Sequence, residues 1–117
     1  MLDLESLILI KGVVAALRYY DDGSLAEAAG ELGQIDAALA ADMCQANGRF
    51  MQHNGDMFMT LSGQPGWTPS GWMMAGDHLS VCGLSDMACF VRNGEVSFNE
   101  VFRALSEINV PSLPEKK

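Results

Sequence analysis

Three short apolar runs punctuated by two turn signals lie between residues 70 and 93, SGWMMAGDHLSVCGLSDMACFVRN. Gly71 to Ala75 is continuously apolar. Gly76-Asp77 follows, a pair that tolerates the positive φ of a hairpin turn. From His78 to Leu84 the pattern alternates, with Leu79, Val81 and Gly83 on one side and Ser80, Cys82 and Leu84 on the other. Ser85-Asp86 is a second two-residue turn, and Met87 to Arg92 is apolar on both faces up to the arginine. The spacing predicts a meander of three antiparallel strands. A loop at Ser85-Asp86 sets Leu84 opposite Met87, Gly83 opposite Ala88 and Cys82 opposite Cys89.

The preceding chain alternates between helical and extended patterns. Leu4, Leu7 and Ile8 recur at helical spacing within residues 2–11, with Asp3 and Glu5 in the first turn where they complement the helix dipole. Gly12 ends that helix. Val13 to Tyr20 reads as a strand with both faces largely apolar, which requires cover on two sides. Asp21-Asp22-Gly23 turns the chain into a short edge strand, Ser24 to Ala28, where Glu27 discourages stray pairing. After a break at Gly30 to Gly33, a helix is predicted from Gln34 to about His53, with Ile35, Leu39, Asp42 or Met43, Ala46 and Phe50 at helical spacing. Met57 to Met59 fits a last helical turn or a short extended piece. Residues 62–70, SGQPGWTPS, form a Gly- and Pro-rich loop carrying Trp67. Beyond the meander, Ser97 with Glu100 three residues on predicts a capping box for a final helix with Phe98, Val101, Phe102 and Leu105 on its apolar face. The expected unit is one domain over residues 1–110, with a mobile tail at 111–117.

The middle helix carries more apolar surface than one stripe. Small residues Ala37, Ala38, Ala40 and Ala41 surround that stripe, and alanine and methionine make a second face. Burial on two sides, against its own sheet and against a second copy of itself, accounts for that face. The competing account is that alanine is simply a good helix former.

Composition narrows the function classes. The 117 residues carry 15 Asp and Glu against 7 Lys and Arg, a formal charge of −8. Phosphate backbones repel such a chain, so neither nucleic acid nor an anionic membrane surface is an expected partner. No apolar run approaches the roughly 20 residues of a membrane-spanning helix, and the acidic start MLDLES is unlike a signal peptide. A cytoplasmic location is expected. Three cysteines without a CxxC give neither a disulfide framework nor a zinc signature. Cys82 and Cys89, directly opposed, have the separation a disulfide can span, although packing as small apolar side chains is the favoured reading.

Catalytic sets are missing from the pattern. His53, His78, Asp77 and Cys44 are the metal-binding residue types, and their spacing brings no three together. Cys82 lies roughly 13 Å along its strand from His78, too far for a nucleophile–base pair. GELG and GQPG lack the strand and helix context of a phosphate loop. Neither a cofactor nor an enzymatic activity is expected. Trp67, on its loop, is the expected partner-binding residue.

The element order is helix, two strands, long helix, three strands, helix. It defines an α+β fold: a five-stranded antiparallel sheet with the long helix on one face and the two terminal helices on the other. That order resembles the roadblock (dynein light-chain) family and its profilin-like relatives, and in particular a small group of uncharacterised bacterial roadblock-like proteins. Lys11-Gly12-Val13-Val14-Ala15-Ala16, Trp67-Thr68-Pro69 with Gly71-Trp72, Ser80-Val81-Cys82, Phe90-Val91 and Phe98-Asn99 carry the resemblance, to about residue 108. The chain departs from the family pattern at Leu79, where an aromatic is usual, and at Ser85-Asp86, where Gly-Asn is usual.

What the resemblance implies is association. Roadblock domains pair their middle helices, join sheets edge to edge through the third strand, and serve as platforms, often for small GTPases. The matching positions here are the helix 34–53 and the strand 71–75. They give an expected homodimer interface of Ala37, Ala38, Ala41, Gln45, Trp72 and Met74, burying above roughly 2,000 Å² in total. For Trp72 a position packed against a helix in the core is the competing and favoured reading. The expected function is a non-enzymatic homodimeric scaffold or regulator that binds another protein, such as a small GTPase. The alternative is a small-molecule sensor holding a ligand between sheet and helix, near Trp72 and Cys82.

Overall fold

A computed structural model describes residues 3–33, 35–68 and 71–108. Five strands, β1 (Val13–Tyr19), β2 (Leu25–Gly30), β3 (Trp72–Ala75), β4 (Leu79–Leu84) and β5 (Met87–Arg92), form one antiparallel sheet in the order β2-β1-β5-β4-β3. The two hairpins β1–β2 and β4–β5 are local, and the pairing of β1 with β5 closes the sheet across the sequence. β2 and β3 are its edges.

The expected register of the β4–β5 hairpin is the observed one, with Leu84 opposite Met87, Gly83 opposite Ala88 and Cys82 opposite Cys89. Ser85 takes the positive φ of this turn, 58°. Neighbours on β1 hold the turn in place. The Arg18 Nε donates to Asp86 Oδ2 at 3.0 Å, the Tyr19 amide donates to the Asp86 carbonyl at 3.0 Å, and the Tyr19 hydroxyl approaches the Ser85 and Met87 carbonyls at 3.4 and 3.3 Å. A left-handed conformation costs a non-glycine residue roughly 1–2 kcal/mol. Ser85→Gly is therefore expected to raise the urea midpoint, by about 1 kcal/mol of stability before the entropy glycine adds to the unfolded chain.

The β3–β4 turn lies one residue beyond the expected Gly76-Asp77. The Gly76 amide donates to the Leu79 carbonyl at 2.8 Å, so Asp77 and His78 occupy the tip. Asn93 explains the shift. Its amide donates to the His78 carbonyl at 2.9 Å, its Nδ2 to the Gly76 carbonyl at 2.8 Å, and its Oδ1 accepts from the Ser80 hydroxyl at 2.6 Å.

Helices α1 (Leu4–Leu7) and α3 (Phe98–Glu107) cover one face of the sheet, as expected. Leu4, Leu7, Val101 and Leu105 meet Ala16, Cys82, Cys89 and Val91 in the larger core. α1 is much shorter than the pattern over residues 2–11 predicts. Asp3 and Ser6 form a reciprocal capping box at its start, and after Leu7 the backbone tightens into successive three-residue turns that lead to Gly12. Gly12 has φ 90°, and a Cβ there would sit 2.7 Å from the Val96 backbone nitrogen. α3 begins where expected, with the Ser97 hydroxyl accepting the Glu100 amide at 3.3 Å. The tail at 111–117 lies outside the described residues.

α2 (Ala37–Ser62) covers the other face. At 26 residues it is longer than the expected 34–53 and extends roughly 39 Å. Asp36 caps its start, accepting the Leu39 amide at 3.1 Å. Gly63, in the left-handed region at φ 67°, ends it and returns its amide to the Met59 carbonyl. Gly55-Asp56, expected to follow the helix, lies inside it, and Met57 to Met59 are helical. Gly55 is buried inside the helix and does not end it.

Candidate docking surface

The sheet-facing side of α2 is made of small residues. Ala41 and Cys44 are buried against Tyr19 and Ala88, with Val81 and Trp72 packed beside them. The Trp72 indole lies flat on Gly83 of the neighbouring strand, where a Cβ would fall 2.3 Å from the ring, and its Nε1 comes within 3.9 Å of where a Cβ on Gly48 would be. Gly83 leaves the room this ring occupies on the sheet, whereas at Gly48 the ring stands at ordinary contact distance. Trp72 Nε1 is buried with no hydrogen-bond partner among the described residues.

With small residues inward, the large ones point out. Leu39, Met43, Phe50, Met57 and Leu61 are all exposed, Phe50 at 65% and Leu61 at 74%. Their spacing at i, i+4, i+11, i+18 and i+22 puts them along one stripe of a helix with about 3.6 residues per turn. The expected dimer face on this helix held Ala37, Ala38, Ala41 and Gln45. In the structure Ala41 is turned to the sheet, Ala38 is exposed, and Leu39, Met43 and Phe50 stand on the outer side. Ala41 and Cys44 fill the seam with Tyr19 and Ala88, beside the Trp72 ring.

The expected interface residues therefore separate. Ala41 is completely buried in the chain's own core. Gln45 donates its Nε2 to the Asp21 carbonyl at 2.8 Å, alongside Arg49 at 3.3 Å, so both tie α2 to the β1–β2 turn. Trp72 packs under α2, in keeping with the competing reading of that residue. Ala37 is half-buried, whereas Ala38 and Met74 are exposed. Met74 and its neighbour Met73 lie on the edge strand β3, which pairs only with β4 and leaves its outer edge open. The periodicity shows the first part of this stripe, from Leu39 to Phe50, but not the direction in which it points.

Trp67 is 43% exposed and stacks on Phe58, with ring centroids 4.8 Å apart and planes 21° from parallel. Its Nε1 donates to the Ser62 hydroxyl at 2.9 Å. The loop after α2 thus folds back on the last helical turns and presents Trp67, Phe58 and Leu61 together at that end of the stripe.

The chemistry-bearing residues stay apart. Among the described residues, no group of three or more His, Cys, Asp or Glu side chains could hold a metal ion, and no helix is long and apolar enough to cross a membrane. Cys82 and Trp72 lie in separate cores on opposite faces of the sheet. Burial pushes the Cys44 and Cys82 thiols up to about 11, and burial with Cys82 alongside pushes Cys89 up to about 12. Desolvation of the thiolate is the cause, and it makes these thiols poor nucleophiles. The sign for stability follows. In the unfolded chain the thiols ionise near 9, whereas in the fold they remain neutral well above that. The thiols' contribution is constant below about pH 8 and falls as pH rises from about 9 toward 11. A thiol-reactive chromophore at about pH 8 should label the native chain slowly and the urea-unfolded chain at once, and the urea midpoint should drop between about pH 8.5 and about pH 10.5.

An antiparallel five-stranded sheet carrying one long helix on one face and two terminal helices on the other is the fold of roadblock domains. The model of an uncharacterised conserved protein family, DUF2173, matches residues 3–107, and the chain belongs to that family. Among solved structures, a Roadblock/LC7 domain from Streptomyces avermitilis superposes with a TM-score of 0.67 at 16% identity, covering 88% of this chain and 86% of that one. An MglB in a tetrameric arrangement gives 0.68 at 12% identity, over 86% and 75%. The gliding protein MglB from Thermus thermophilus gives 0.64 at 13% identity, over 88% and 82%. At these identities the likeness is one of fold. No curated protein matches the chain.

Proposed function

We propose that the chain is a non-enzymatic scaffold or regulator that acts as a homodimer and binds another protein, a small GTPase being the class that roadblock relatives suggest. The observation that carries this reading is the outward apolar stripe of α2, Leu39 to Leu61, lying in the same chain as the open β3 edge with Met73 and Met74. Large apolar side chains at this density on one helix face mark an association surface. A second copy covers it with the same chemistry, and the tetrameric arrangement of an MglB is an instance of this fold assembled with copies of itself. Ala38 and Met74 remain at the rim of this surface. Ala37, Ala41, Gln45 and Trp72 support it from below. Trp67, exposed beyond the stripe, is the proposed contact for the protein partner.

Light scattering at micromolar concentration tests the reading. A mass twice that of the 12.6 kDa chain supports it, and a monomer across that range removes it. The sensor alternative gains nothing from Trp72 and Cys82, because the indole fills the space above Gly83 and the thiol belongs to the other core.

A further inference from the structure

Methionine is concentrated where the fold is uncovered. The chain has eight methionines. Among the described residues, Met43, Met57, Met73 and Met74 are exposed, at 49% to 57%, whereas Met87 is buried in the core. Three of the exposed four share one side of the molecule. Met43 and Met57 stand in the outer stripe of α2 with Leu39, Phe50 and Leu61. Met74 pairs with Val81, which packs in the core beneath α2, so Met74 lies on the α2 side of the sheet. Met73 pairs with Cys82 of the other core and lies on the opposite side.

Leucine fills such a surface equally well, but only methionine can be oxidised and restored. Resting on the homodimer reading above, we propose that Met43, Met57 and Met74 form an oxidation site through which a hydroperoxide controls association. The thioether sulfur attacks the terminal peroxide oxygen; the O–O bond breaks and an S–O bond forms. Sulfur loses two electrons, and the peroxide leaves as water or an alcohol. A thiol-dependent sulfoxide reductase reverses the step, oxidising two thiols to a disulfide and releasing the oxygen as water. Each sulfoxide sets a strong acceptor among Leu39, Phe50 and Leu61, whose side chains donate no hydrogen bond, and burying an unpartnered polar group opposes pairing. Pairing and oxidation therefore compete: a paired surface covers the sulfurs, and the separated chain is the form that reacts. Met87, inside the core, is spared, so the fold survives the modification.

Hydrogen peroxide on the full chain, followed by peptide mass mapping and light scattering, tests the proposal. One added oxygen is expected at each of Met43, Met57 and Met74, with Met87 unchanged and the circular dichroism preserved. The dissociation constant should rise more than about tenfold. A methionine sulfoxide reductase with dithiothreitol should restore the dimer. The deciding comparison is the triple variant Met43→Leu, Met57→Leu, Met74→Leu, which keeps apolar volume and retains Met73. It is expected to pair like the native chain and to remain paired after peroxide. A native dimer that persists with all three sites oxidised overturns the proposal, and so does a triple variant that peroxide still separates. If the triple variant does not pair, the native chain decides alone: oxidised chains that stay apart after reduction overturn the proposal, and chains that pair again support it. A native chain that is monomeric before any peroxide is added fails the homodimer reading itself.

Discussion

Phe50→Glu is expected to turn the dimer into a monomer without unfolding it. The phenylalanine is 65% exposed in the single chain and takes no part in either core. Its replacement should therefore leave the melting temperature of the monomer within a few degrees of its starting value. In the pair, the loss comes twice. Each buried ring contributes roughly 1.5–3 kcal/mol, and each carboxylate placed in an apolar seam adds a desolvation penalty of its own. A total above about 3 kcal/mol raises the dissociation constant by more than about a hundredfold. Light scattering reads the mass and circular dichroism reads the fold. An unchanged dimer mass in the variant would show that α2 is not the seam. The contrast is Ala41→Glu. That position is an expected interface residue, but because Ala41 is completely buried, a glutamate there should unfold the chain before association is in question.

The second large effect belongs to Gly83. Gly83→Ala is expected to destabilise the fold by about 3 kcal/mol and lower its melting temperature by more than about 10 °C. The new methyl group would fall 2.3 Å from the Trp72 ring. The ring has little room to yield, since Ala41 and Cys44 of α2 pack over it from the other side. The strain passes into the edge strand β3 that carries Trp72 and into α2 at once. In a Trp67→Phe background, where Trp72 is the single tryptophan, its emission should shift to the red as the ring is pushed toward water. Unaltered stability and emission would show that the ring is free to move.

Much of the fold was legible before any coordinates. Turn chemistry at Asp22-Gly23 and Ser85-Asp86, alternation in β4, and the switch from period 2 to period 3.6 at α2 placed every strand within a few residues. The register of the β4–β5 hairpin followed from loop length alone, because a two-residue loop leaves one way to pair the strands. Helix ends were less legible. Gly55 reads as a stop and lies buried inside α2, while residues 8–10 read as helix and run as turns. A glycine's role depends on what passes near it, which is information from distant parts of the chain.

By itself, then, the sequence determined the element order, the sheet pairing near each turn and the presence of an apolar stripe on the middle helix, since all of these rest on neighbours in the chain. Tertiary structure alone decided which way that stripe points. Periodicity specifies that two faces of a helix differ but not which of them meets the sheet. In the fold Ala41 and Cys44 of α2 meet Tyr19 and Ala88, with Trp72 packed beside them on Gly83. Those contacts join α2 to strands distant in the chain, and they leave Leu39, Met43 and Phe50 on the outside.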